Sequence, residues 1–223
     1  DYDEALMEKY FAGEEISPDD IRAALRLATL SGELVPVLCG SALRNIGVQR
    51  ILDAVLSYLP SPVDVPPMPA ENALKKGESV TRAPSDTEPF SALAFKIMAD
   101  PHVGKLAFLR VYSGSMGTGD FVYNARTRSK ERVGRLLQMH ANKRDELKRV
   151  FAGDIVAAVG LKGVLTGDSL SDTDAPVVLE SMHVPEPVLK VAIEPKTKAD
   201  RDRLGEALNR LAEEDPTFQV SSD

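Results

Sequence analysis

The chain has 223 residues, of which 43% are hydrophobic and 27% charged, with a formal net charge of −7. That is enough apolar material for one large core or two small ones. No run approaches the roughly 20 apolar residues a membrane helix needs. The single Cys39 excludes an internal disulfide and suits a reducing compartment, so the expectation is a soluble, cytoplasmic protein with no membrane partner.

Residues 1–60 read helix–helix–strand–helix. The first helix is short and acidic, with Leu6 and Tyr10 one turn apart and Gly13 as a stop. Ser17 is a good N-cap for the second, Pro18 suits its first position, and Asp19 and Asp20 favour the positive end of its dipole. Its apolar stripe is Ile21, Ala24, Leu25 and Ala28, with Gly32 beyond it. Residues 34–38 read as a buried strand, too short and too continuous for a helix. A third helix runs from Val48 through Ile51, Leu52, Val55 and Leu56 to Leu59, stopped by Pro60. Such a segment is the tail of an α/β sheet, and a parallel strand needs neighbours on both sides.

Residues 61–88 read as a linker. Pro62, Pro66, Pro67 and Pro69 stiffen its first part, and a polar stretch without periodicity follows. From 89 to 183 short apolar runs alternate with glycine-bearing turns. The runs fall at 93–97, 106–112, 121–123, 133–137, 155–159 and 177–179, and the turns carry Gly114, Gly117, Gly119, Gly153 and Gly167. Evenly spaced short strands without a helical pattern indicate an antiparallel β-barrel, which also removes exposed strand edges. Residues 188–194 read as one more strand, and Thr197 with Asp200 opens a helix carrying Leu204, Leu208 and Leu211 and ending before Pro216. One strand and one helix cannot bury both their faces alone. The unpaired strands at 34–38 and 188–194 therefore invite strand exchange with a second copy, in a crystal or in solution.

The charge is unevenly spread. Residues 126–149 carry nine lysines and arginines against Glu131, Asp145 and Glu146. A basic stripe on one face can bind phosphate in an acidic protein, because screening confines each charge to about 8–10 Å. The competing reading is a solvated hairpin whose lysines and arginines protect a strand edge. Few aromatics interrupt the run, and Tyr112, Phe121 and Tyr123 are expected in the core, so contact through phosphate and shape is favoured over base stacking. No catalytic or metal-ligating residue is assigned. Cys39 has no histidine near it in sequence to lower its pKa, and no pair of ligand types has finger-like spacing. Gly114, Gly117 and Gly119 join two strands and open no helix, unlike a dinucleotide fingerprint.

The wording of these stretches is more specific than their pattern. Arg110-Val-Tyr-Ser-Gly114, Gly119-Asp-Phe-Val-Tyr123, Leu137-Gln-Met-His-Ala-Asn142 and Ala152-Gly-Asp-Ile-Val-Ala-Ala-Val-Gly-Leu161, closed by Thr166-Gly-Asp-Ser-Leu170, resemble the second domain of bacterial elongation factor G. Pro36-Val-Leu-Cys-Gly-Ser-Ala-Leu43 and Ala54-Val-Leu-Ser-Tyr-Leu-Pro-Ser-Pro62 are similar to the end of its GTPase domain. Glu186-Pro-Val-Leu-Lys-Val-Ala-Ile-Glu-Pro-Lys-Thr-Lys-Ala-Asp200 is similar to the start of its third. The resemblance spans essentially the whole chain, which begins on Asp1 and reads as a central piece of a longer protein.

The resemblance implies a multidomain α+β fold: a translation-factor-type antiparallel β-barrel flanked by a partial α/β GTPase segment and half of a ferredoxin-like domain. It places the end of the GTPase domain at 1–60, the proline-rich linker at 61–88, barrel domain II at 89–183 and the truncated third domain at 184–223. It implies that the whole protein is a GTPase moving transfer RNA and messenger on the ribosome, with GTP or GDP and magnesium as ligands. Ser41, Ala42 and Leu43 inherit the turn that meets the guanine; the second domain is expected to dock on small-subunit RNA, and Arg126, Arg128, Lys130, Arg132 and Arg135 of the basic run are the candidates for that contact. The chain itself holds no Gly-x-x-x-x-Gly-Lys-[Ser/Thr] loop and no Asn-Lys-x-Asp motif, so no nucleotide is expected to bind to it and no phosphoryl transfer to occur. Ribosome-protection proteins and a peptide-release GTPase share the barrel pattern. A stand-alone RNA-binding barrel is the alternative from another class.

Overall fold

The computed structural model describes residues 2–100, 103–141, 143–179, 182, 186–195 and 197–221. The chain divides into two compact units, with the boundary between Val65 and Pro66.

The first unit holds three helices, α1 (Glu4–Ala12), α2 (Pro18–Leu30) and α3 (Val48–Tyr58). Asp3 caps α1 by accepting the Leu6 amide at 3.0 Å, and Gly13 ends it in the left-handed region. A capping box opens α2: the Ser17 hydroxyl accepts the Asp20 amide, and the Asp20 carboxylate accepts the Ser17 amide. Arg26 ties α2 to the end of α3 by donating to the Ser57 carbonyl at 2.9 Å and the Asp64 carboxylate at 2.6 Å. The expected strand at 34–38 does not form. Val35 and Val37 are 79% and 87% exposed, and no strand among the described residues of this unit lies beside them. An apolar run becomes a buried strand only where a ladder accepts its backbone groups. The α3 stripe is likewise open, with Ile51, Leu52, Val55 and Leu56 all exposed.

The second unit is built on antiparallel strands. They are β1 (Met68–Asn72), β2 (Ser79–Arg82), β3 (Ser91–Asp100), β4 (Gly104–Ser113), β5 (Ser115–Gly117), β6 (Phe121–Asn124) and β7 (Ser129–Arg132). Then come β8 (Arg135–His140), β9 (Lys143–Leu147), β10 (Arg149–Phe151), β11 (Ile155–Val159), β12 (Ser169–Ser171) and β13 (Val177–Leu179), followed by helix α4 (Lys198–Glu214). Eight strands form one sheet in the order β7-β6-β12-β3-β4-β11-β8-β9. Among the described residues no ladder joins its outer strands β7 and β9. The ring is completed instead by the chain itself, since β7 runs into β8 through Val133 and Gly134. The Val133 amide donates to the Asp120 carbonyl on the β6 side, and the Gly134 amide donates to the Val159 carbonyl on the β11 side. One bent strand thus pairs with β6 through its first half and with β11 through its second. A Cβ on Gly134 would meet the Val159 oxygen at 2.8 Å, which is why that corner takes glycine.

Inside the ring lies the main core: Ala92, Ala94, Ile97, Leu109, Val111, Val122, Leu136, Val156 and Leu170. Met116 and Val150, from the separate β5–β10 ribbon, close one part of it. Leu161 and Val164 plug it from the 160–168 loop. The first core residues alternate along each strand, so the period-2 pattern does bury one face.

The linker expected at 61–88 is corrected: it contains β1 and β2, and β1 pairs with both β2 and β13 in a second small sheet. Ala70, Leu93, Val177 and Leu179 form its core with Met68, Val80 and Tyr112 packed on it. Pro69 is tolerated because the β13 ladder starts only at Ala70. The strand expected at 188–194 is also absent; Val188, Leu189, Val191 and Ile193 are exposed and 186–195 carries no regular structure. Helix α4 forms as expected, capped by Thr197, and rests on the barrel: Glu214 accepts the Ala99 amide and Glu213 pairs with Lys105 at 2.9 Å.

Candidate nucleic-acid interface and guanine turn

The β6–β7 hairpin is set by Asn124, a fully buried residue whose Oδ1 accepts the amides of Arg126 (3.0 Å) and Thr127 (3.2 Å). Arg128 closes the turn with φ of 53°. Along β6 Val122 and Asn124 are buried, so Phe121 and Tyr123 occupy the opposite face with their cross-strand partners Arg132 and Lys130. Phe121 is 59% exposed. The expectation that it sits in the core is therefore corrected. The signal that finds it is its alternation with Val122, outweighed at first by the general tendency of aromatics to bury.

The five arginine and lysine candidates separate into two groups. Arg128, Lys130 and Arg135 are exposed and make no ion pair with any described residue. Arg132 is exposed as well, with its Nε donating to the Gly119 carbonyl at 3.3 Å. Arg126 is half-exposed but paired. Its Nε and Nη2 hold the two oxygens of buried Asp168 at 2.7 and 3.0 Å, and Nη2 also donates to the Gly163 carbonyl at 2.6 Å. The hydrogen bond to Asp168 raises the Arg126 pKa above its ordinary value, partly offset by burial. Arg126 is thus engaged by a buried carboxylate 42 residues downstream, while its side chain stays half-exposed.

The rest of the basic run divides likewise. Arg144, on the β8–β9 hairpin, pairs with Asp100, and Arg149 donates to the Ser115 hydroxyl at 2.9 Å. Lys143 and Lys148 stay exposed without an acid partner among the described residues.

The 41–46 turn is a separate feature of the first unit. Ser41 and Ile46 pair as an isolated bridge around a single 3₁₀ turn, Ala42–Arg44, and Leu43 is 99% exposed. The amides of Ser41, Arg44, Asn45 and Ile46 are consumed inside the turn. Those of Ala42 and Leu43 open it, where first-turn N–H groups have no intrahelical acceptor. Gly40 and Gly47 pack tightly enough that a Cβ on either would meet backbone oxygen at 2.9 or 3.0 Å, which fixes the turn's shape. Among the described residues no group of three or more histidine, cysteine or carboxylate side chains could hold a metal ion. Cys39 is exposed.

Two family models match this chain. Elongation factor G domain 2 matches residues 89–173, and elongation factor G domain III matches residues 184–223. The chain belongs to the elongation factor G family. A crystal structure of a Thermus thermophilus protein is similar over 98% of this chain, with 30% sequence identity and a TM-score of 0.75. The chain spans 30% of that protein's length. Elongation factor G domain 2 thus coincides with the ring and its plug, whereas the β13-β1-β2 sheet lies outside the matched span at both ends. The two domains in this order favour elongation factor G over the other barrel-bearing GTPases. No helix among the described residues is long and apolar enough to cross a membrane.

Proposed function

We propose that this chain is the ribosome-docking section of a translocation GTPase, and that it docks through the outer face of β6, β7 and β8. The observation that carries this reading is the row of exposed cations without acid partners among the described residues, Arg128, Lys130 and Arg135, joined by Arg132, on the domain matched to elongation factor G domain 2. Their chemistry suits RNA phosphate, and Phe121 beside Arg132 offers an aromatic face to an unstacked base or a ribose. Cytoplasmic location follows from that role.

The Ala42 and Leu43 amides would meet a guanine edge in the whole protein, with Ser41 setting the turn. GTP supplies the hydrolysis that drives such a cycle when bound with magnesium. This chain would contribute the base-edge turn, and its sequence holds no Gly-x-x-x-x-Gly-Lys-[Ser/Thr] loop.

Reversing Arg128, Lys130 and Arg135 to glutamate tests the docking face. Affinity for small ribosomal subunits is expected to fall, and more steeply at low salt than at high, because each neutralised phosphate releases counterions. Unchanged affinity at both ionic strengths, with a shifted melting curve, supports edge protection instead and overturns the proposal.

A further inference from the structure

Arg126 sits at the junction of the basic hairpin and the loop that plugs the barrel. Its guanidinium grips both oxygens of Asp168, which is almost fully buried, and the carbonyl of Gly163. Gly163 is held from its other side as well, because its amide donates to the Glu131 carboxylate of β7 at 3.0 Å. Asp168 accepts two more bonds, from Asn124 Nδ2 and from the Leu165 amide, both at 2.9 Å. Hairpin residues 124, 126 and 131 and loop residues 163, 165 and 168 therefore form one closed hydrogen-bond network. The loop is anchored beneath by Leu161 and Val164 in the core. Arg128 and Lys130 lie just beyond Arg126, Arg128 in the turn that Asn124 Oδ1 also braces and Lys130 at the start of β7.

We infer that Arg126 is a positioning residue, which locks the hairpin to the plug loop through Asp168 and Gly163 so that Arg128 and Lys130 meet phosphate in a fixed geometry. The inference rests on the docking reading above. A planar fork makes this lock possible, since Arg126 satisfies two carboxylate oxygens and a carbonyl at once. A lysine keeps the charge and cannot span all three. Fixing the hairpin before binding removes ordering cost at the moment of contact. The lock acts on affinity and not on the number of phosphates touched.

That distinction is measurable. Arg126→Gln, Arg126→Lys and the double variant Arg128→Gln with Lys130→Gln are compared with the unaltered chain for binding to purified small ribosomal subunits across a salt series. Arg126 has a half-exposed side chain (47%), so both its variants are expected to fold. Arg126→Gln is expected to weaken binding by about threefold or more with the salt slope unchanged, and Arg126→Lys to behave like it. The double variant is expected to lower the slope by about one for each phosphate left without its cation. If Arg126→Gln lowers the slope and Arg126→Lys restores affinity, Arg126 touches phosphate and the inference is overturned. Unchanged affinity for Arg126→Gln beside a weakened double variant overturns it too. If neither variant alters binding, the docking reading has failed, and hydrogen exchange then judges the lock alone. Faster exchange of the Thr127 and Gly163 amides in Arg126→Gln upholds it, and unchanged exchange removes it.

Discussion

Alanine at Gly114 is expected to destabilise the barrel unit more than any of the surface changes on the basic hairpin. Gly114 follows β4 at the corner into β5 with φ of 70°. A Cβ there would lie 2.5 Å from the Glu88 carbonyl oxygen and 2.6 Å from the Phe90 Cα and amide nitrogen. All three are backbone atoms of the segment leading into β3, and that segment is tied to the corner by the Gly114 amide donating to the Ser85 carbonyl at 2.8 Å. Holding alanine in the left-handed region costs roughly 1–2 kcal/mol. Forcing packed backbone apart adds about 1–3 kcal/mol. A total of about 3 kcal/mol lowers a urea midpoint by about 1.5 M at a slope of about 2 kcal/mol per M. Gly104 is the internal control, because its φ is 78° with no described residue within 4 Å of a Cβ. Its alanine variant bears only the backbone cost, and the difference between the two isolates the contact. Urea melts followed by the strand signal in circular dichroism measure both. Equal midpoints for the two variants would refute the close approach of residues 88–90 to this corner.

Three other outcomes are expected. Asp64 is held below the ordinary carboxylate range by the Ser61 amide first, then by the Ser61 hydroxyl and Arg26, and Asp20 is held down by Ser17. Both lowered values contribute stability above the unfolded carboxylate pKa and lose it as pH falls through the folded one, so the helical signal of the first unit is expected to drop below about pH 4; a loss beginning at about pH 6 would contradict this. Glu214→Ala is expected to speed hydrogen exchange at the Ala99 amide, which lies beyond the part of β3 that β12 covers, and to leave the Ala94 amide, bonded to the Asp168 carbonyl, unaltered; equal protection at Ala99 in both proteins would show that α4 does not rest there. Isothermal titration of the chain with GTP and magnesium is expected to give no heat of binding, and micromolar affinity would show a nucleotide site away from the 41–46 turn.

Much of the architecture was legible in local sequence. Helices α1 to α4 announce themselves through Ser17, Thr197, Gly13 and the 3.6-residue stripes, because caps and turns act over a few residues. Strands β3, β4, β6, β8, β11 and β13 are visible as apolar runs between glycine turns. β1 and β2 are not, since their short alternation gains meaning only from β13, about 100 residues later. The runs at 34–38 and 188–194 carry the residue types of strands without becoming strands, because a strand is completed by hydrogen-bonding neighbours and none lies beside them among the described residues.

The basic stripe shows the same division. Composition alone places nine cations between 126 and 149 and fits a phosphate-binding face and a protected strand edge alike. Which of them face outward is a tertiary matter. Arg126, Arg144 and Arg149 are claimed by Asp168, Asp100 and Ser115, partners 42, 44 and 34 residues away. Arg128, Lys130 and Arg135 stay exposed and without an acid partner among the described residues. Charge is written in the sequence, but its availability depends on whether the fold brings a carboxylate within hydrogen-bond reach.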